Sequence, residues 1–530
     1  MRPCRYTAAA LLALVAGLAH ADNISLRVSY TDGPRGVAFV PVHAEVGRFG
    51  LTPDIPKPEN GDYWLIVAHD AKGRVLHQVA INNGTRRHVE AFDPKTRSVV
   101  RSEIVPQPSD VFEVSLPFDA ETASIDVLPV STGRNTLAAG AAALAHFDRG
   151  TLDALVGTSR PLREMVAAAA PVATTILSNG SPASHMDYVF VGDGYTAAEM
   201  AKWRADAQSV INGYLADPLF NANRASMNVY RVDVASNQSG VDEPDLGIYK
   251  DTAMDGAFYC SNIDRLLCVN TSKVLNIVGS VLQPDQRDVI IVVSNSTRYG
   301  GSGGQIATLS MSSQSIEVAL HEIGHTAFGL ADEYDYGSCS LGGEPVEPDV
   351  TRNATRSVKW GDLIAAATPV PTPLGTYANG TVGIFQGAQY CPSGKYRPTE
   401  NSRMRTLGNP WHAVNERVAR SVFAQYSATT PTATGTLASG GSARVPGAAP
   451  GYVQAGAGTI TGQLTGPANA DFDLFLYKWN GSAWAKVASS DGSTSSEAIS
   501  YNAAAGYYYF EIKAYSGAGS YTLQYKFPPQ

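Results

Sequence analysis

The sequence predicts a multidomain protein in which a central α/β domain lies between an N-terminal and a C-terminal β-sandwich domain. Three observations carry that prediction. The chain has 530 residues, room for three or four domains at about 150 residues each. Short apolar or alternating runs, broken by Gly and Pro, fill both ends. Between them, strand-like runs alternate with helical stretches, the texture of an α/β domain.

The elements follow in chain order. Met1 to Arg5 carries Arg2 and Arg5, an apolar run extends from Ala8 to Leu18, and Ala19-His20-Ala21 is a small-x-small cleavage site. This is the layout of a secretory signal peptide over residues 1–21, too short to span a bilayer. No second apolar stretch approaches ~20 residues, so the expectation is a secreted or periplasmic protein with no membrane attachment after cleavage. Residues 22–132 alternate in Ser25-Leu-Arg-Val-Ser-Tyr30 and Val111-Phe-Glu-Val-Ser-Leu116, with Tyr63-Trp-Leu-Ile-Val67 as a buried run, and read as a β-sandwich accessory domain. An alanine-rich stretch within 133–170 reads as a helical connector.

Residues 171–427 are the α/β domain. Asp187-Tyr-Val-Phe-Val191 and Asp288-Val-Ile-Ile-Val-Val293 are strands. Thr196 with Glu199 forms a capping box for a helix to about Leu215. The glycine-rich Tyr299–Gly304 segment, followed by Gln305 to Leu309, reads either as a surface loop or as a rim strand able to pair with extended substrate. A last helix from about Pro410 to Tyr426 stacks Val414, Val418, Val422 and Tyr426 on one face. Residues 428–445 (Thr, Pro, Ala, Gly, Ser) read as a linker and 446–530 as the second sandwich.

Composition excludes some functions. Charged residues make up 17% and the net charge is -8 at pH 7, which argues against a nucleic-acid partner. Once Cys4 leaves with the leader, Cys260, Cys268, Cys339 and Cys391 remain, an even count that in an exported protein suggests two disulfides. Of three pairings, Cys260–Cys268 with Cys339–Cys391 is favoured because the first closes a short local loop. Without a C-x-x-C pair, a zinc–thiolate cluster is disfavoured.

His321-Glu322-Ile-Gly-His325 carries the chemistry. It lies within Ser315 to Phe328, read as helix, where residues four apart share a face and both imidazoles point the same way. That pair suits one catalytic Zn²⁺ ion. Glu322, next to the first ligand, is placed to take a proton from a water whose pKa the metal lowers. Gly329 can end the helix in a left-handed conformation and let the chain return a third ligand, Asp332. The pattern resembles the metzincin H-E-x-x-H-x-x-G-x-x-H/D, with the glycine and the acid each one residue late but their mutual spacing kept. Glu333 is the alternative ligand; Glu344 and Glu347 are weaker ones in a Gly/Pro-rich segment. Met404, in Ser402-Arg-Met-Arg-Thr-Leu407, fits a methionine turn beneath the metal. Tyr334 and His412 read first as structural hydrogen-bonding groups and second as transition-state helpers.

These residues resemble the immunoglobulin-A-peptidase-type zinc metallopeptidases. The resemblance rests on His-Glu-x-Gly-His with Leu-x-Asp-Glu-Tyr334, on Val189-Phe-Val-Gly-Asp-Gly-Tyr195, and on Gly256 to Cys260 with Ile263 to Cys268. It implies a metzincin-like central domain, a catalytic zinc and endopeptidase action on protein or peptide, with His321, His325 and Asp332 as ligands and Glu322 as general base. The tail from about 440 resembles bacterial pre-peptidase C-terminal domains through Asp471-Phe-Asp-Leu-Phe-Leu-Tyr477 and Gly506-Tyr-Tyr-Tyr-Phe-Glu-Ile512. Two other readings stand beside it: a binding or adhesin protein on an inactive peptidase scaffold, and a zinc hydrolase of a cell-wall amide bond. No cysteine lies between Asp22 and Tyr259, so a latency segment there would need an acidic side chain to block the zinc. The region reads instead as a retained accessory domain.

Overall fold

The computed structural model describes residues 23–47, 49–52, 63–118, 120–130, 143–159, 170–303, 305–336, 339–345, 347–427, 432–447, 451–455, 458–504 and 506–527. The leader expected over residues 1–21 lies outside them. Several β-sheets and a few helices build the molecule.

The N-terminal strands are β1 (Asn23–Gly33), β2 (Gly36–Gly47), β3 (Tyr63–Asp70), β4 (Val75–Asn82), β5 (Arg86–Phe92), β6 (Val99–Pro106), β7 (Ser109–Pro117), β8 (Thr122–Val130) and β9 (Ala145–Asp148). They form a three-stranded sheet in the order β2-β1-β7, a four-stranded sheet β4-β3-β8-β9, and a separate β5-β6 hairpin. Residues alternating inward from the two larger sheets, among them Leu26, Val28, Trp64, Ile66, Ile125 and Phe147, share one core. Within the helical connector expected over 133–170, the described residues 143–159 are only partly helical. Ala145–Asp148 is a strand paired with β8, and helix α1 (Arg149–Thr158) buries Leu152 in the same core. Phe147 and Leu152 draw this stretch onto the sheet, and the Asp148 side chain caps the helix by accepting from the Thr151 N–H.

The central sheet holds β10 (Val172–Leu177), β11 (Met186–Asp193), β12 (Met227–Asp233), β13 (Val289–Ser294), β14 (Gly301–Ser302) and β15 (Ile306–Ser310), in the order β10-β12-β11-β13-β15-β14. The strands from β12 to β15 run parallel, while β10 and β14 are antiparallel edges. Every residue of β11 and β13 is buried, as parallel strands covered on both faces require. Helix α2 (Met200–Ala216) follows the expected Thr196/Glu199 capping box. A one-turn helix at Pro218–Ala222 follows it, and helices α3 (Thr271–Gly279), α4 (Ser315–Thr326) and α5 (His412–Ser427) also belong to this part. Disulfides join Cys260 to Cys268 and Cys339 to Cys391, the favoured pairing.

Phe385–Ala388 and Cys391–Arg397 form a separate antiparallel hairpin, and the strands from Thr432 on form two antiparallel sheets that share a core of Ile460, Leu464, Phe472, Leu474, Phe510 and Leu523. The expected linker is shorter than its composition suggested, because Thr432–Leu437 and Ser442–Val445 are strands of these two sheets. Leu437 and Val445 are buried there, and the β-branched Thr residues suit the pleat. Among the described residues, no helix is long and apolar enough to cross a membrane.

Candidate metal centre

Helix α4 follows the sheet edge formed by β15 and β14. Its last turn ends at Gly329, which has φ 64° and donates its N–H to the His325 carbonyl. The Leu330 N–H returns to the Gly324 carbonyl, so the chain reverses beneath the helix and presents Asp332 to the two histidines.

The histidines are held in one tautomer. Nδ1 of His321 donates to the Arg403 carbonyl at 3.0 Å, and Nδ1 of His325 donates to the Leu330 carbonyl at 2.7 Å. Both Nε2 lone pairs are thereby aimed at the same point. The two Nε2 atoms are 3.0 Å apart. Asp332 Oδ1 lies 3.4 Å from the first and 3.3 Å from the second. Asp332 Oδ2 accepts from the Tyr390 hydroxyl at 2.7 Å, which fixes the carboxylate plane.

A fourth donor comes from a residue with no motif around it. Glu90, on β5, places Oε2 2.9 Å from His321 Nε2 and 3.9 Å from His325 Nε2. Its Oε1 accepts from the Tyr334 hydroxyl. Among the described residues, Glu90, His321, His325 and Asp332 bring one ligand atom each within 4.8 Å of one another. Bonds of 2.0–2.1 Å to a tetrahedral ion would set donor atoms about 3.3 Å apart. The observed separations of 2.9 to 3.9 Å bracket that spacing, and two imidazoles with two carboxylates are a donor set a divalent metal accepts, so the group fits a metal ion.

Charge agrees with geometry. Burial alone would depress the His321 imidazole, yet hydrogen bonds and charge from Asp332 and Glu90 raise it well above its ordinary value. His325 is pushed up to about 9 against the same burial penalty, chiefly by the Asp332 charge. Burial raises the Glu322 carboxyl, and the Glu90 charge raises it further. The group is thus an anionic pocket that attracts positive charge.

His325 keeps 23% of its side chain exposed while His321 keeps none, and Glu322 between them in the sequence is buried. A Cβ on Gly303 would collide with the Glu322 carboxylate, so the absence of a side chain on the rim next to β14 leaves room for it. Gly301 of β14 pairs with Leu309, and Arg265 and Leu267 bond its other edge. Met404 is fully buried under the helix, and a Cβ on Gly324 would stand 2.5 Å from its sulfur and 3.1 Å from Trp411. Glu333 points away, accepting from the Asn415 amide at 2.8 Å, and burial raises its carboxyl to about 7. Glu344 is engaged by Thr351 and the Arg352 N–H. His412 has its ring against Gly380, and burial lowers its pKa. Near the site's own loops, Asp335, Tyr377, Arg397, Glu400 and Arg405 line a cavity of ≈ 480 Å³.

Among solved structures, the chain is similar to three small proteins, each over 18% of its length. They are a mitogen derived from Yersinia pseudotuberculosis (20% identity, 84% of that chain, TM-score 0.16), a pre-peptidase C-terminal domain of collagenase from Bacillus anthracis (20% identity, 89% of that chain, TM-score 0.16), and PliG, a periplasmic inhibitor of g-type lysozyme from Aeromonas hydrophila (17% identity, 85% of that chain, TM-score 0.14). Residues 174–379, which include His321, Glu322, His325 and Asp332, match the family model described as IgA Peptidase M64, and this match points to peptidase chemistry on a protein substrate.

Proposed function

We propose that the protein is an exported zinc-dependent endopeptidase that hydrolyses peptide bonds in proteins. Its catalytic part is a metzincin-like domain over about 171–427, flanked by β-sandwich domains at 22–132 and from about 432 on. The observation that carries the reading is the convergence of His321 Nε2, His325 Nε2 and Asp332 Oδ1 on one point, with Glu322 on the same helix turn. A metal held there supplies a Lewis acid and lowers the pKa of water.

The chain's own residues do the rest. His321, His325 and Asp332 hold the ion, with the Arg403 and Leu330 carbonyls and the Tyr390 hydroxyl orienting them. Glu322 takes the proton of the attacking water on a carboxylate oxygen and returns it to the leaving amine. Met404 gives the ligands an apolar floor that excludes water from below. The cavity around Asp335 and Arg405 is where a polar side chain of an extended peptide would be received.

The test compares the full chain with Glu322→Ala, measuring metal by mass spectrometry and cleavage of an unbiased peptide library. The expected result is about one zinc per chain in both, with cuts lost by at least about 10²-fold in the variant. Measurable cleavage that Glu322→Ala leaves undiminished, or no bound metal, would overturn the reading.

A further inference from the structure

Resting on that reading, we propose that Glu90 is a fourth ligand to the metal, supplied by the N-terminal part of the chain, and that the β5–β6 hairpin keeps the peptidase latent until it is withdrawn or excised. A catalytic zinc keeps one coordination position open for water and substrate, whereas a closed set of four protein ligands leaves none. Here the central part of the chain supplies three donors. Glu90 Oε2, 2.9 Å from His321 Nε2 and 3.9 Å from His325 Nε2, would be the fourth donor.

The hairpin is built for this position. Along β5 the side chains alternate between two covered faces. Val89 and Ala91 bury against Ile263 and Leu266, while Phe92 packs with Val318, Tyr334 and Leu407 and sets its ring edge-on to His321 at 4.9 Å. Glu90 lies on the Phe92 face and is 1% exposed at its side chain. A carboxylate so buried costs several kcal/mol unless a cation or hydrogen bonds match it, and both of its oxygens meet groups of the centre.

Independent contacts seat the strand. Arg87 Nη2 donates to Ser302 Oγ at 2.7 Å and to the Gly303 carbonyl at 2.5 Å, occupying the rim beside Glu322. Arg265 Nη1 donates to the Phe92 carbonyl at 2.8 Å, and the Leu407 N–H donates to the Arg97 carbonyl at 3.1 Å. Asp93 closes the turn by accepting from the Lys95 and Thr96 N–H groups. With no cysteine between Asp22 and Tyr259, a carboxylate is the anionic ligand this region has to offer. Tethered in the same chain, it acts at an effective concentration in the millimolar range and competes with substrate for the ion.

The test loads the full chain with cobalt(II) and compares wild type, Glu90→Gln, Glu90→Ala and Glu90→Ala/Glu322→Ala. Visible absorption, metal stoichiometry and peptide cleavage are read, with circular dichroism to establish that each variant is folded. The expected result is one metal per chain throughout and cobalt bands shifted in every Glu90 variant. Cleavage should rise about tenfold or more in Glu90→Gln and Glu90→Ala, and vanish in the double variant. Unshifted bands, or metal lost from both single variants without a gain in cleavage, would overturn the proposal. Shifted bands with metal retained and no cleavage by any chain would leave Glu90 a ligand and overturn the peptidase reading itself, so the two failures are separable.

Discussion

Two glycines set the room in which the chemistry takes place. Gly303 leaves space for the Glu322 carboxylate, and Gly324 lets the helix settle onto Met404 and Trp411. Gly303→Ala is therefore expected to lower kcat while metal content stays at the wild-type level, as peptide kinetics beside metal analysis would show. Gly324→Ala overfills a closely packed layer and should cost ~1–3 kcal/mol of stability in denaturant unfolding. Asp332→Ala should lower zinc occupancy far more than Glu333→Ala, because Asp332 faces both imidazoles and Glu333 is spent on Asn415; the reverse order in metal titration would move the third ligand. The histidines and their neighbouring acid were legible in the sequence because four-residue spacing on a helix is a local geometric fact. The return of Asp332 to the two imidazoles was legible through Gly329, whose left-handed turn reverses the chain. Glu90 was not legible. It sits 231 residues from His321 in a strand with no distinguishing pattern, and tertiary packing alone brings it in.

At the scale of elements, β7 and α3 join the N-terminal sheets to the central one through a buried cluster. Glu113 on β7 pairs with Arg27 at 2.9 Å and with Arg287 at 2.6 Å, and Arg27 also donates to Asn276 on α3. Burial pushes the Glu113 carboxyl up, but the two guanidinium charges more than offset this and hold it below its ordinary value of 4.5. A depressed carboxyl contributes stability that is fully present above its unfolded-state pKa and is lost as pH falls through the folded value. Thermal stability should thus decline below about pH 4.5 with a contribution that Glu113→Gln removes. At neutral pH that variant leaves two buried guanidinium groups unmatched and should cost ~3–5 kcal/mol. Melting curves of both chains from pH 7 to pH 2.5 check it; parallel pH profiles would contradict it. Strand and helix positions followed from period-two and period-3.6 patterns. The mistaken elements, 145–148 and 432–445, were those whose small or polar residues hid a few buried anchors: Phe147, Leu437 and Val445.

Across the whole molecule, the N-terminal part contributes to the centre through Glu90, whereas residues 432–527 form sheets with a core of their own. Removing residues from 428 on should spare cleavage of a small peptide by a chain whose Glu90 is substituted, and a loss of that cleavage would make the tail part of the active unit. The β-rich texture of both ends was readable from the sequence, but that Glu90 of the N-terminal part reaches His321 was not, because contact between parts leaves no periodic trace in a sequence. In the proposed reading, two imidazoles and a carboxylate of His321, His325 and Asp332 hold a zinc ion. X-ray absorption at the zinc edge on the metal-loaded full chain tests it most directly. One zinc is expected, with two nitrogen and two oxygen neighbours at about 2.0–2.2 Å and no sulfur, and with the nitrogen signal lost in His321→Ala/His325→Ala. A sulfur shell, or a zinc environment indifferent to that double substitution, would contradict it.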